Sequence, residues 1–430
     1  MSNVTITPAT RGLRGSFAVP GDKSIAHRAL LLGAIARGTT VVHGFAGGAD
    51  NRATLAACEA LGIAVAADDG VLRIDGHGWD GLRAPTATID CRNSGTTMRL
   101  LVGVLAGRPF VSRLTGDASL RRRPMRRVLE PLERMGATIV AEGDDGRAPL
   151  RIEGHPLHGA AHVLPIASAQ VKSAILLAGL QASGTTTVEE PAVSRDHTER
   201  MLVDFGAQVQ CAGRTVTLAG AQELRGATVQ LPGDFSSAAF LVVAALVVPG
   251  SELRLTGVGV NPTRTGLLDV LAAMGAQVTV LPEAGGGAEP RATLVVRSAP
   301  LRAARIGGEL LLRAIDEFPI LCVAAACADG RTELRDAAEL RVKESDRIAV
   351  MAETLTRLGA KVEELADGLV IEGPARLGGA SIDPRGDHRI AMAAAVAALV
   401  ASAPVTITDA ACADVSFPGF YDLLARASAP

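Results

Sequence analysis

Met135-Gly136-Ala137-Thr138-Ile139-Val140 joins two kinds of periodicity. A run of helical spacing leads into the glycine, and an alternating strand leaves it. A glycine at that point fits the left-handed position that closes a helix. The junction recurs at Leu61-Gly62-Ile63, Phe205-Gly206-Ala207, Met274-Gly275-Ala276 and Leu358-Gly359-Ala360, with glycines 74, 70, 69 and 84 residues apart. The fourth copy continues into Gln277-Val278-Thr279-Val280. A Gly or Pro followed by a Thr- and Val-rich strand precedes each helix, starting near Thr39, Phe110, Thr185, Ser251, Thr332 and Val405. The pattern predicts six α/β units of roughly 70 residues, the last truncated after Leu424.

The six units group as three plus three. Val19-Pro20-Gly21-Asp22-Lys23-Ser24 and Leu231-Pro232-Gly233-Asp234-Phe235-Ser236 are near copies. Each Pro-Gly punctuates a strand end, and each Ser is read as a cap for the next helix. If both are crossovers, residues 21–232 form one globule, and residues 1–20 with 233–430 form the other. Two adjacent crossings would then make a hinge with a cleft between the globules.

Composition narrows the function. With 430 residues, 48% hydrophobic, the chain has ample core for two domains. A net charge of −2 and 3% aromatics argue against nucleic-acid partners and stacking platforms. The apolar stretches near 238–249 and 390–401 are too short to span a bilayer, and no signal peptide is evident. The six cysteines form no C-x-x-C pair and read as small buried hydrophobes in a reducing compartment. A soluble, cytoplasmic monomer without nucleic-acid or membrane partners is expected.

Of 43 basic residues only Lys23, Lys172, Lys343 and Lys361 are lysines. Arg is a planar fork that stays protonated, whereas Lys is a compact charge whose proton can be tuned. Two of the four lie in dense polar motifs. Lys23 and Arg28 flank a helix start expected at Ser24 and running from Ile25 to Ala36, where free backbone N–H groups attract anions. Arg28 is four residues from Ser24, so both can face one ligand. Lys343 and Arg347 in Lys343-Glu344-Ser345-Asp346-Arg347 have the spacing of one helix face, although a surface ion-pair lace explains them too.

Other helix starts carry similar groups. Asn93-Ser94-Gly95-Thr96-Thr97-Met98-Arg99 precedes an apolar helix and suits close backbone approach to an anion. Arg121-Arg122-Arg123-Pro124-Met125-Arg126-Arg127 reads as a loop delivering one Arg to a phosphate or carboxylate, with Pro124 in the first turn of a helix to Met135. Ser168-Ala169-Gln170 and Ser194-Arg195-Asp196-His197-Thr198 open two more helices, as ordinary caps also would. Asp316 and Glu317 face the apolar run Ile320 to Ala326, where a carboxylate can become a base. Asp387-His388-Arg389 precedes the helix Ile390 to Leu399. His155, His158 and His162 have metal-like spacing, but Pro156 and Gly159 break any helix there, and no metal site or cofactor is expected. The cluster suits a pair of small, multiply anionic substrates.

These segments, in this order and over essentially the whole chain, resemble the 5-enolpyruvylshikimate-3-phosphate synthase family. The resemblance implies two globules of three βαβαββ units each, an inverse α/β barrel arrangement with a two-stranded hinge. It implies transfer of the enolpyruvyl group of phosphoenolpyruvate to the 5-hydroxyl of shikimate 3-phosphate, the penultimate step to chorismate, without a metal. Lys23, Ser24, Arg28, Ser168, Ala169, Gln170, Arg195, Asp316 and Lys343 are then expected to hold shikimate 3-phosphate. Lys23, Gly95, Arg123, Gln170, Arg347, His388 and Arg389 are expected to hold phosphoenolpyruvate. Asp316 would take the hydroxyl proton, and Glu344 or Lys23 would serve the methylene carbon. Asp196-His197 stands where some members carry Tyr, and Asp414-Val415-Ser416 lacks the Lys that some carry before Phe417-Pro418. Gly95 implies ordinary glyphosate sensitivity. Two alternatives are weighed. One is the sister enzyme acting on UDP-N-acetylglucosamine, whose usual Cys before Arg-Pro is missing from Gly116 to Arg123. The other is a non-catalytic anion-binding protein on the same fold.

Overall fold

A computed structural model of the chain describes residues 3–285 and 287–429. Two compact units emerge. The first comprises Gly21–Leu231 with residues 287–289, and the second comprises residues 3–20, Pro232–Gly285 and 290–429. Pro232 thus goes with the second unit, and the sequence carried no signal for the short excursion at 287–289 into the first.

Among the described residues each unit holds three sheets, and all but the last follow one plan: a parallel pair, then two antiparallel partners. In the first unit, Ile89–Asp90 runs parallel to Val111–Thr115, which pairs antiparallel with Arg147–Glu153, and that with Thr138–Gly143. Ala161–Val163, Thr185–Glu189, Thr215–Ala219 and Val209–Ala212 repeat this order. In the remaining sheet Leu224–Arg225 and Thr228–Gln230 both run parallel to Ala36–His43, which continues into Val71–His77 and Ala64–Asp68.

The second unit follows suit. Arg14–Ala18 is the parallel partner of Glu252–Gly259, and Arg305–Ile306 that of Gly330–Leu334. The truncated sixth repeat has Ser381–Ile382 beside Val405–Ile407, and the N-terminal strand Val4–Ile6 supplies its antiparallel partner.

One helix per repeat is buried almost all round, as its unbroken apolar sequence requires. These are Lys23–Ile35, Gly95–Leu105 and Ala169–Gly179 in the first unit. In the second they are Phe235–Val247, Phe318–Cys327 and His388–Leu399. Gly103 lies where an added Cβ would strike the Ala174 carbonyl, so two of these helices cross backbone to backbone. The five repeat glycines, Gly62, Gly136, Gly206, Gly275 and Gly359, all have φ between +84° and +100°, the left-handed closure that the sequence required.

Several local expectations are corrected. Asp22 and Asp234, not Ser24 and Ser236, cap their helices: their carboxylates accept from the backbone N–H of Ile25 and Ser236. Each helix begins one residue before the serine, at Lys23 and Phe235, so the aspartate stands at the capping position and the serine already lies in the first turn. Pro124 precedes its helix, which spans Arg126–Arg134, and Arg121 and Arg122 end the short helix Ala118–Arg122. Lys343 and Arg347 do not share a helix. Lys343 closes the 3-10 turn Ala338–Val342, and Asp346 caps a new helix, Arg347–Arg357. Cys211 is exposed, whereas Cys58, Cys91 and Cys322 are buried.

Candidate active site

The buried helices begin on the polar motifs, so their free N–H groups and the charged side chains sit in the same places. In the first unit Lys23 opens its helix with Nζ 2.9 Å from Asp50 Oδ2. One turn on, Arg28 is buried. Its Nε donates to Thr198 Oγ1 at 2.7 Å, Nη2 to Ser173 Oγ at 2.8 Å and Nη1 to the Ser24 carbonyl at 2.9 Å. Burial pushes its pKa down to about 10, against the pull of Glu199 and Asp22, and Arg195 adds like-charge repulsion. Two guanidiniums held close enough to repel each other suit a shared anion.

The second cluster of this unit joins the Gly95 and Ala169 helix starts. Gln170 Nε2 donates to Thr96 Oγ1 at 2.8 Å, and its Oε1 accepts from Arg99 Nη1 at 2.6 Å. Arg123 Nη2 donates to Asn93 Oδ1 at 2.6 Å. A Cβ on Gly95 would lie 2.8 Å from Arg99 Nη1 and 3.1 Å from Arg123 Nη1, so glycine keeps two guanidiniums against the backbone. Arg99 was not among the expected site residues. Its signal was present, four residues after Gly95 on the same helix face.

In the second unit Asp316 sits at the start of its helix amid three guanidiniums. Arg347 Nη1 is 3.6 Å, Arg389 Nη2 3.7 Å and Arg264 Nη1 3.8 Å from its carboxylate oxygens. The apolar surroundings expected for Asp316 and Glu317 are not what their carboxylates meet, Glu317 having Arg389 Nη1 at 4.0 Å. Glu317 is buried and accepts from Ser236 Oγ, to which Arg264 also donates at 2.8 Å. Nothing in Asn261-Pro262-Thr263-Arg264 marks Arg264 in the sequence as a second unexpected member of the site.

Arg347 is itself buried between Asp387 Oδ2 and Glu344 Oε2, each at 2.8 Å. Burial alone would lower its pKa, but Asp387, Glu344 and Asp316 reverse that and hold it above the ordinary guanidinium value. Asp387 also caps the helix that opens with His388 and Arg389, and Arg389 Nη1 donates to the Asp316 carbonyl at 3.0 Å. Lys343 pairs with Glu339 at 3.2 Å. Among the described residues no group of His, Cys, Asp and Glu is arranged to hold a metal ion, and His162 is buried within a strand. No helix of the described residues is long and apolar enough to cross a membrane.

Repeated α/β units, each with a buried helix opening on guanidinium, carboxylate or hydroxyl groups, make up this fold. The crystal structure of the enolpyruvyl transferase NikO from Streptomyces tendae matches this fold with a TM-score of 0.79 at 20% identity, over 100% of this chain and 98% of that one. The family model of EPSP synthase (3-phosphoshikimate 1-carboxyvinyltransferase) matches residues 8–424, and the chain belongs to that family. A 3-phosphoshikimate 1-carboxyvinyltransferase of Geobacter sulfurreducens is 55% identical over 99% of both chains. One of Acidithiobacillus ferrooxidans is 56% identical over 99% of this chain and 98% of its own. The solved EPSP synthase from Acinetobacter baumannii superposes with a TM-score of 0.89 at 46% identity, covering 99% and 98% of the two chains.

Proposed function

We propose that this chain transfers the carboxyvinyl group of phosphoenolpyruvate to the 5-hydroxyl of 3-phosphoshikimate and releases phosphate. One observation carries the reading at residue level: Asp316, a carboxylate at a buried helix start, is held by guanidiniums that are themselves anchored by other carboxylates. Such a site offers a proton acceptor beside fixed positive charge.

In the addition, the substrate hydroxyl oxygen bonds to C2 of phosphoenolpyruvate and its proton passes to Asp316. The methylene C3 takes a proton from Lys23 or Glu344, giving a tetrahedral adduct. In the elimination, C3 returns a proton, the C2–O bond to phosphate breaks and the double bond reforms. Arg123, Arg347 and Arg389, with Gly95, Gln170 and His388, bind the phosphate and carboxylate of phosphoenolpyruvate and stabilise the departing phosphate. Ser24, Arg28, Ser168, Ala169, Gln170, Arg195 and Lys343 bind the acceptor. No step requires a metal. The two units act as the functional halves of a cytoplasmic monomer, which gel filtration of the purified chain would test.

The deciding experiment is phosphate release from phosphoenolpyruvate with 3-phosphoshikimate, wild type against Asp316→Ala. The wild type turns over, and the variant loses a factor of roughly 10² to 10⁴, the span of general base catalysis. A wild type that binds both ligands without releasing phosphate would leave the anion-binding alternative standing and this reading overturned.

A further inference from the structure

Lys172 is 2% exposed, yet its side chain reaches no substrate group in the mechanism above. It lies on the helix Ala169–Gly179, one turn after Ser168. Its ammonium meets two carboxylates, Glu190 Oε2 at 2.7 Å and Glu199 Oε1 at 2.8 Å. Both glutamates are buried as well. Burial alone would lower the pKa of Lys172, but Glu199 and Glu190 more than offset it and hold the ammonium charged.

Glu190 is the informative member. Its Oε1 accepts the backbone N–H of Ser168 at 3.2 Å, and its Oε2 accepts that of Ser194 at 3.4 Å. One carboxylate therefore ties together the two segments that hold Ser168, Ala169 and Gln170 on one side and Ser194 and Arg195 on the other. Glu199, in turn, stands beside Arg28 and opposes the loss of its charge. Its Oε2 is buried without a hydrogen-bond partner, so it depends on nearby positive charge. Lys172 and Arg28 supply two positive charges to the two carboxylates, and the set is balanced.

We propose that Lys172 is a positioning residue for 3-phosphoshikimate: it fixes the Glu190 carboxylate, which sets the spacing of the Ser168–Gln170 turn against the Ser194–Arg195 loop. The inference rests on the acceptor-binding roles proposed above. A buried acceptor bonded to two backbone N–H groups is rigid only while its own charge is answered. Without the ammonium, Glu190 loses the charge that fixes it, and the two segments it ties are no longer held in register.

The test measures 3-phosphoshikimate binding by calorimetry, alongside KM for phosphoenolpyruvate and thermal stability. Lys172→Met is expected to bind 3-phosphoshikimate at least about tenfold more weakly, with a smaller rise in KM for phosphoenolpyruvate, because Gln170 is the one ligand assigned to it on the tied segments. Because that variant leaves an unbalanced buried carboxylate, Lys172→Met/Glu199→Gln is made beside it. The double variant is expected to regain part of the lost thermal stability, since the Glu199 charge is gone, while its affinity for 3-phosphoshikimate stays low, because Glu190 still lacks its anchor. A merely structural Lys172 would let affinity return with stability, and that result overturns the proposal. Wild-type affinity in a folded Lys172→Met overturns it too, while the function reading survives. A wild type that fails to bind 3-phosphoshikimate overturns both.

Discussion

Arg347 is 1% exposed and Asp387 is 0% exposed, so the charge of each is answered almost wholly by protein. Arg347 Nε lies 2.8 Å from Asp387 Oδ2, and Asp387 also receives Ser345 Oγ at 3.0 Å and the backbone N–H of Arg389 at 3.0 Å. Arg347→Met keeps most of the side-chain volume but strands the carboxylate. Removing one partner of a buried ion pair costs about 3–5 kcal/mol, because the other charge stays buried without compensation. In Arg347→Met/Asp387→Asn the second charge is gone as well. The amide oxygen still accepts from Arg389 N–H and retains the helix cap, so the residual cost falls to about 1–2 kcal/mol, that of an imperfectly bonded polar group. Urea unfolding followed by circular dichroism reads the difference as a shift of midpoint. Fluorescence would not serve, because Trp79, the only tryptophan, lies in the other unit. Activity stays lost in both variants, since the guanidinium assigned to phosphoenolpyruvate is missing. A single variant that unfolds at the wild-type midpoint, or a double variant less stable than the single, refutes the argument.

Lys23→Arg keeps the charge and the Asp50 partner but replaces a tunable ammonium by a fork, and kcat is expected to fall by about 10² or more; full activity would return the lysine to a simple electrostatic role. Gly95→Ala places a methyl against the ends of Arg99 and Arg123, so the fold persists while KM for phosphoenolpyruvate and the glyphosate concentration for half-inhibition both rise. Wild type should show ordinary glyphosate inhibition, and a flat inhibition curve would contradict the assignment of Gly95. His27 is fully buried, with Nδ1 2.7 Å from Thr54 Oγ1, and burial, then Lys23 and Arg28, hold its pKa well below 6.5. The unfolded chain therefore binds a proton below about pH 6.5 that the native state refuses, and stability falls with pH at up to about 1.4 kcal/mol per unit. His27→Gln should flatten that slope between pH 6.5 and 5 in urea midpoints, and parallel slopes for the two proteins would exclude His27 as its source.

The repeat was readable because glycine after a helix leaves few alternatives. Gly62, Gly136, Gly206, Gly275 and Gly359 needed φ values that other residues resist, and that constraint shows in sequence. Most helix starts are legible to within about two residues, but the Gly95–Leu105 helix begins five residues before the apolar run that marks it, and the caps at Asp22 and Asp234 are not legible, because Ser and Asp are both good caps and only geometry decides between neighbours. Side chains that act through others left less trace. Arg264 and Lys172 reach their carboxylates across 52 and 27 residues or fewer, to Asp316 and Glu199, and no local spacing announces such a pairing. The expectation that Lys343 and Arg347 share a face failed for a related reason: Asp346 restarts the helix between them.

The antiparallel pairing of Val4–Ile6 with Val405–Ile407 sets an order on biosynthesis. Thr5 and Thr406, whose hydroxyls are 3.0 Å apart, are 401 residues distant in the chain. At about 5–20 residues per second, the N-terminal strand leaves the ribosome roughly 20–80 s before its partner exists. Meanwhile the whole of Gly21–Leu231 has been made and has its three sheets' strands in hand. One unit can mature on the nascent chain while the other must wait for Val405–Ile407 to be made, its strand Val4–Ile6 meanwhile an unpaired edge open to chaperones and to mispairing.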